Sequence, residues 1–145
     1  MERKPRWLVV DDSPHFADRA REALADAGAD IVGVAGDGVQ ALELFEDLCP
    51  DGLVLDFSMP RLDGIAVARS VRRIERQPGH SGRCLIAMLT LHADAGLREA
   101  AIASGVDAFL DKAREFETLV GMVAPVPQAD DTRRTPRTPP PRSPG

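Results

Sequence analysis

Five short runs of apolar residues, Trp7 to Val10, Ile31 to Val34, Leu53 to Leu55, Leu85 to Leu89 and Ala108 to Leu110, recur between longer amphipathic stretches. Each run is nearly continuous in hydrophobicity, as a strand is when both faces of its sheet are covered. The pattern predicts a parallel sheet sandwiched between helices. The first intervening helix has a marked start, with Ser13 as N-cap and Pro14 in the first turn, where a missing N–H costs nothing, and Gly28 marks its end. Phe16, Ala20, Leu24 and Ala27 recur in it at helical spacing. The same spacing gives Leu44, Phe45 and Leu48 in the second helix and Ile65, Ala68, Val71 and Ile74 in the third. A fourth helix is read from about Ala93 to Ser104, stopped by Gly105, and a fifth from Arg114 on, with Phe116, Leu119, Val120 and Val123 on one face. Alternating strands and helices with right-handed crossovers make a doubly wound sheet. Residues 76–83, RQPGHSGR, read as a surface loop longer than such connections usually are.

Composition narrows the rest. The 145 residues suit one domain, 43% are apolar, and no stretch approaches the ~18 apolar residues a membrane-spanning helix requires. The opening MERKPRW runs straight into a strand-like segment without an apolar signal core, so the expected location is the cytoplasm. Cys49 and Cys84 are far apart and lack metal-type spacing, which speaks against a disulfide framework or a zinc site. The net charge is -5; residues 130–145 carry four Arg against two Asp, which leaves -7 on the part before them. So acidic a body does not suit a nucleic-acid surface, which needs clustered positive charge. After Ala124 the chain becomes rich in Pro and Arg, with seven of the twelve prolines between Pro125 and Gly145. The expected division is a domain over 1–125 and a disordered tail over 126–145. Within that tail Arg133-x-x-Pro136-x-x-Pro139 has the form of a polyproline ligand, a pattern that arises readily by chance in such sequence.

In an open α/β sheet, ligands bind at the carboxyl ends of the strands. Asp11 and Asp12 follow the first apolar run, Asp56 the third, Thr90 ends the fourth, and Lys112 lies just past the fifth. Taken singly, each has an ordinary reading as a turn, a cap or a solvated charge. Together they fall on one edge, and three carboxylates within ~5 Å repel by roughly 3 kcal/mol per pair at an effective dielectric of ~20. Such a cluster calls for a cation. With hard oxygens alone as ligands the expected ion is Mg²⁺. A carboxylate beside Mg²⁺ can attack a phosphoryl group to form an acyl phosphate, and Asp56 is the candidate nucleophile.

Asp11 and Asp12, the run from Leu53 through Asp56, Ser58, Met59 and Pro60 to Asp63-Gly64, Thr90, and Phe109 with Lys112 resemble the receiver domain of bacterial two-component response regulators over about residues 5–124. The resemblance implies a flavodoxin-like α/β fold, a five-stranded parallel sheet of order 2-1-3-4-5 with five helices. It also implies a phosphorylation-dependent switch, fed by a sensor histidine kinase or phosphotransfer protein. Asp56 would be the phosphoacceptor. Asp12 and Asp56 would bind Mg²⁺ directly, Asp11 through water, and the backbone carbonyl of Ser58 would complete the set. Lys112 would contact the phosphoryl group, and Thr90 with Phe109 would form the switch pair reshaping the surface of the fourth helix, fifth strand and fifth helix. The expected output is contact with an effector protein, with a homodimer through the fourth and fifth helices as one form, and no direct nucleic-acid or membrane partner.

Some positions depart from the family's commonest pattern. Leu91 follows Thr90 where a small residue is usual, and its bulk leads us to expect a long-lived phosphorylated state. Ser58 occupies a place that influences hydrolysis in the family, and Ala113 stands where proline often follows the lysine, so a trans bond is expected there. His15, His80 and His92 are scattered, and only His92 lies near the pocket edge. Two alternatives stand beside the switch. One is a phosphohydrolase working through an aspartyl phosphate, which usually has a second Asp where this chain has Ser58. The other is a scaffold with a vestigial pocket.

Overall fold

In the computed structural model, which describes residues 2–127, the five apolar runs form one parallel sheet. A two-residue strand at the N-terminus, β1 (Glu2–Arg3), precedes them as β2 (Arg6–Val10), β3 (Asp30–Ala35), β4 (Gly52–Asp56), β5 (Leu85–Thr90) and β6 (Ala108–Asp111). The helices between and after them are α1 (Pro14–Asp26), α2 (Gly38–Leu48), α3 (Gly64–Glu75), α4 (Ala95–Ala103) and α5 (Phe116–Gly121). The sheet order is β3-β2-β4-β5-β6, which is the expected 2-1-3-4-5 order once β1 is set aside.

Both faces of the sheet are covered because successive side chains of a strand point to opposite sides. Leu8, Val10, Leu53, Leu55, Ile86 and Met88 face α2, α3 and α4, where Phe45, Val67, Ala68 and Val71 complete one core. Trp7, Val9, Val54, Ala87, Leu89 and Leu110 face α1 and α5 and pack with Ala17, Ala20, Leu24 and Leu119. Gly52 is required by this second layer: a Cβ there would meet the Trp7 indole at 2.2 Å.

Four helices begin on a side-chain cap. Ser13 accepts from the Phe16 N–H, Asp37 from Gln40, Asp63 from Ala66 and Asp94 from Leu97. Helix α1 stops as Gly28 turns to a φ of +106°, and the turn after α4 is made the same way by Gly105 at +105°. Helix α4 starts at Ala95, two residues later than the spacing predicts, since Asp94 takes the cap position.

Val126 and Pro127, read from the sequence as the first residues of a tail, form β7 and pair antiparallel with β1. Arg3 strengthens this clasp with a bidentate contact to Asp51 at 2.8 and 3.0 Å, and Asp51 also accepts from the Arg6 N–H at 2.7 Å. The remainder of the Pro/Arg-rich segment, including the motif from Arg133 to Pro139, lies outside the described residues.

Candidate functional site

The acidic pocket is assembled from backbone positions that the sheet fixes. Asp11 continues past β2 with its N–H donating to the Ala35 carbonyl at 2.9 Å, and Asp56 is the last residue of β4. Phe57 donates to the Leu89 carbonyl at 3.0 Å, which ties the chain beyond Asp56 to β5. Gly64 donates to the Phe57 carbonyl at 2.9 Å and packs so closely that a Cβ would lie 2.7 Å from the Asp56 carbonyl oxygen. The start of α3 thus braces the Asp56 backbone.

One carboxylate oxygen from each of Asp11, Asp12 and Asp56 lies within 4.8 Å of the others. Asp11 and Asp56 are buried, while Asp12 is exposed and forms the open side of the cluster. Asp11 is shared: Oδ1 accepts from the Ser13 N–H at 2.9 Å, and Oδ2 pairs with Lys112 Nζ at 2.8 Å. The same ammonium lies 3.3 Å from Asp56 Oδ1, and none of the three side chains is more than 7% exposed. Water therefore does little to screen these charges. Burial first, and then the negative charge of Asp11, push the Asp56 pKa up to about 6, with Lys112 pulling the other way.

Lys112 is held by its own loop. Its N–H donates to the Thr90 carbonyl at 2.8 Å, Asp111 Oδ1 accepts from the Ala113 N–H at 2.8 Å, and Glu115 Oε1 accepts from the Asp111 N–H at 2.7 Å. This turn delays α5 to Phe116, two residues beyond Arg114, where the sequence reading begins the helix. All peptide bonds among the described residues are trans, as expected at Ala113.

Thr90 ends β5, and its hydroxyl accepts from the His92 N–H at 3.2 Å. Phe109 pairs in register with Met88 and is buried in the core under α3 and α4. Because strand side chains alternate, Thr90, two residues past Met88, faces the same side of the sheet as Phe109. Ser58 is exposed two residues past Asp56, and Leu91, at 51%, is exposed on the rim. The structure thus brings Asp11, Asp12, Asp56 and Lys112 together, with Thr90 at the adjoining strand tip and Phe109 beneath it.

One neighbour of the pocket escaped sequence reading. Phe16, assigned by spacing to the buried stripe of α1, is only half-buried and lies with its ring 4.2 Å from Lys112 Nζ. Its place one turn beyond Asp12 is the signal that could have found it. A cavity of about 450 Å³ lies elsewhere, at the opposite end of the strands between Trp7, Pro50, His80, Cys84 and Met122. Asp11, Asp12, Asp56 and Lys112 are not among its lining residues.

Residues 7–124 match the family model of the response regulator receiver domain. The chain belongs to this family. It is therefore a receiver domain of two-component signalling, a family of phosphorylation-dependent switches. It is 36% identical over 115 residues to a protein-glutamate methylesterase/protein-glutamine glutaminase of Methanospirillum hungatei, covering 79% of this chain and 32% of that one. It is 37% identical over 115 residues to the response regulator MprA of Mycobacterium tuberculosis, covering 79% of this chain and 47% of that one. The chain thus spans from a third to just under half of the length of these relatives. Among solved structures, it superposes on the signal receiver domain of the response regulator NarL of Mycobacterium tuberculosis with a TM-score of 0.74 and 32% identity, over 82% of this chain and 92% of that one. The receiver domain of the Francisella response regulator 1452 gives 0.70 and 28%, over 80% and 90% of the two chains. Among the described residues, no helix of the receiver domain is long and apolar enough to cross a membrane.

Proposed function

We propose that this receiver domain switches when Asp56 accepts a phosphoryl group from a histidine kinase or phosphotransfer protein, with Mg²⁺ bound by Asp11, Asp12, Asp56 and the Ser58 carbonyl. The observation that carries this reading is the group of three carboxylates within 4.8 Å, two of them paired to one buried lysine. Three carboxylates and one ammonium leave two negative charges, which a divalent cation matches. The donors are hard oxygens, so the set fits Mg²⁺. Bound there, the cation would neutralise charge on the phosphoryl oxygens during transfer.

The side chains divide the remaining work. An Asp56 oxygen forms the new bond to phosphorus as the bond from phosphorus to the donor breaks. Lys112, already within 3.3 Å of Asp56, offers its ammonium to a phosphoryl oxygen. The Thr90 hydroxyl, at the tip of β5, can turn toward the new charge, and the space it vacates lies on the side of the sheet where Phe109 is buried. Movement of the two would alter the face formed by α4, β6 and α5, where an effector protein or a second copy would bind.

Intact-mass measurement after incubation with acetyl phosphate and Mg²⁺ tests the reading. Wild type should gain one phosphoryl group, and neither Asp56→Asn nor wild type in EDTA should gain any. Catalytic turnover of small phosphate esters would instead favour a phosphohydrolase, and failure of wild type to take up phosphoryl from acetyl phosphate or from any kinase would favour a scaffold.

A further inference from the structure

Lys112 is only 4% exposed, and Asp11 and Asp56 are the two ion-pair partners of its ammonium among the described residues. An aromatic ring also lies beside it: Nζ is 4.2 Å from the centroid of Phe16, well inside the ~6 Å over which a cation is attracted to a π face. We propose that Phe16 is a positioning residue for phosphoryl transfer, its ring holding the Lys112 ammonium where it can move from Asp56 to an incoming phosphoryl group. This inference rests on the reading of Asp56 as phosphoacceptor.

Packing alone does not account for the ring. The buried stripe of α1 is Ala17, Ala20 and Leu24, and Phe16 is turned away from it toward the pocket. The ring is fixed from several directions. The Phe16 backbone N–H donates to Ser13 Oγ at 3.4 Å, the His15 ring meets the Phe16 ring edge-on at 5.4 Å, and the Arg19 guanidinium lies 5.8 Å from that ring and 4.6 Å from the Phe116 ring.

The chemistry of transfer favours this kind of partner. When one Asp56 oxygen becomes the bridging oxygen of an acyl phosphate, it loses most of its charge, the donor's leaving group carries a negative charge away, and the arriving phosphoryl oxygens replace that oxygen as an anionic partner for the ammonium. The ammonium must follow by a small displacement. A carboxylate in place of Phe16 would neutralise the ammonium and hold it back through directional bonds, whereas an aliphatic side chain would not attract it. A π face attracts the cation, adds no formal charge and tolerates a change of direction.

Fluorination of the ring tests the idea because it weakens the π face stepwise with little change in shape. Phenylalanine at position 16 is replaced by its 4-fluoro, 3,5-difluoro and 3,4,5-trifluoro analogues, and phosphorylation of Asp56 by acetyl phosphate at saturating Mg²⁺ is followed by intact mass. The logarithm of the rate constant should fall in step with fluorination, by roughly tenfold at the trifluoro member. Phe16→Leu should be as slow, and Phe16→Tyr should stay within about threefold of wild type because it keeps a π face. In metal-free protein, the Lys112 ε-methylene proton signals should be shifted upfield by the ring and return toward ordinary values in Phe16→Leu. A flat fluorination series, with Phe16→Leu as fast as wild type, overturns the role of Phe16 while leaving Asp56 as phosphoacceptor. If wild type takes no phosphoryl group on Asp56, the functional reading fails and this inference falls with it.

Discussion

Asp56 ends β4 with its carboxyl group beside two other acids, and burial together with the Asp11 charge raises its pKa to about 6 from an ordinary 3.8. Between those values the native state holds the proton more tightly than the unfolded chain does. The stabilisation gained from protonated Asp56 is fully present below about pH 3.8 and is lost as the pH rises through about 6. A shift of this size corresponds to about 3 kcal/mol. In metal-free buffer, Asp56→Asn should therefore be more stable than wild type by roughly 2–3 kcal/mol at pH 7, with the gap closing toward pH 4. Urea unfolding of both proteins across that range checks the sign as well as the size. A gap independent of pH would assign the difference to packing instead of charge. The same acid is thus costly in the resting fold and reactive in the proposed switch, because both properties follow from burying a carboxyl group beside other negative charge at one strand tip.

Arg72 shows the opposite use of a buried charge. It is 8% exposed on α3, yet its guanidinium reaches the Gly105 carbonyl at 2.9 Å, the Cys84 carbonyl at 2.8 Å, Glu75 at 2.8 Å and Asp107 at 2.9 Å. It joins the end of α3 and the start of β5 to the turn between α4 and β6. Arg72→Ala leaves Glu75 and Asp107 short of a partner and should cost about 3 kcal/mol in urea unfolding. Arg83 reaches Asp107 too, but from a position 58% exposed, so Arg83→Ala should cost no more than about 1 kcal/mol. Equal losses would mean that burial does not decide the matter here. The sequence concealed this element-level staple because an Arg is ordinarily read as solvated, although position 72 falls on the apolar stripe of α3, four residues after Ala68 and seven after Ile65. The strands, in contrast, were legible within one or two residues, since long apolar runs leave few alternatives. The pocket acids were legible for a related reason, as each directly follows one of those runs. What periodicity could not reveal were features set by tertiary contact: the turn of Phe16 toward Lys112, the turn at Asp111 that delays α5, and a clasp whose two-residue strands are too short to show any period.

Across the whole molecule, the clasp and the acidic pocket occupy opposite ends of the same strands. Arg3 and Asp51 tie β1 and β7 near Trp7 and Gly52, where β2 and β4 begin, while Asp11 and Asp56 stand where those strands finish. Free energies at such separated sites normally add, whereas a sheet that moved as one two-state body would couple them. Arg3→Ala should lower stability by about 1 kcal/mol, in keeping with a partly exposed ion pair. Mg²⁺ at about a hundred times its dissociation constant should raise stability by about 2.7 kcal/mol. The decisive quantity is the Mg²⁺ increment measured in both backgrounds by urea unfolding at pH 7. If it is the same in Arg3→Ala as in wild type to within about 0.5 kcal/mol, the strands act as a rigid mount, and any switching is confined to the pocket edge and the α4–β6–α5 face. If the increment changes by more than that, the pocket senses the clasp through the sheet, and a partner bound at the β1–β7 clasp could tune cation affinity from the far end.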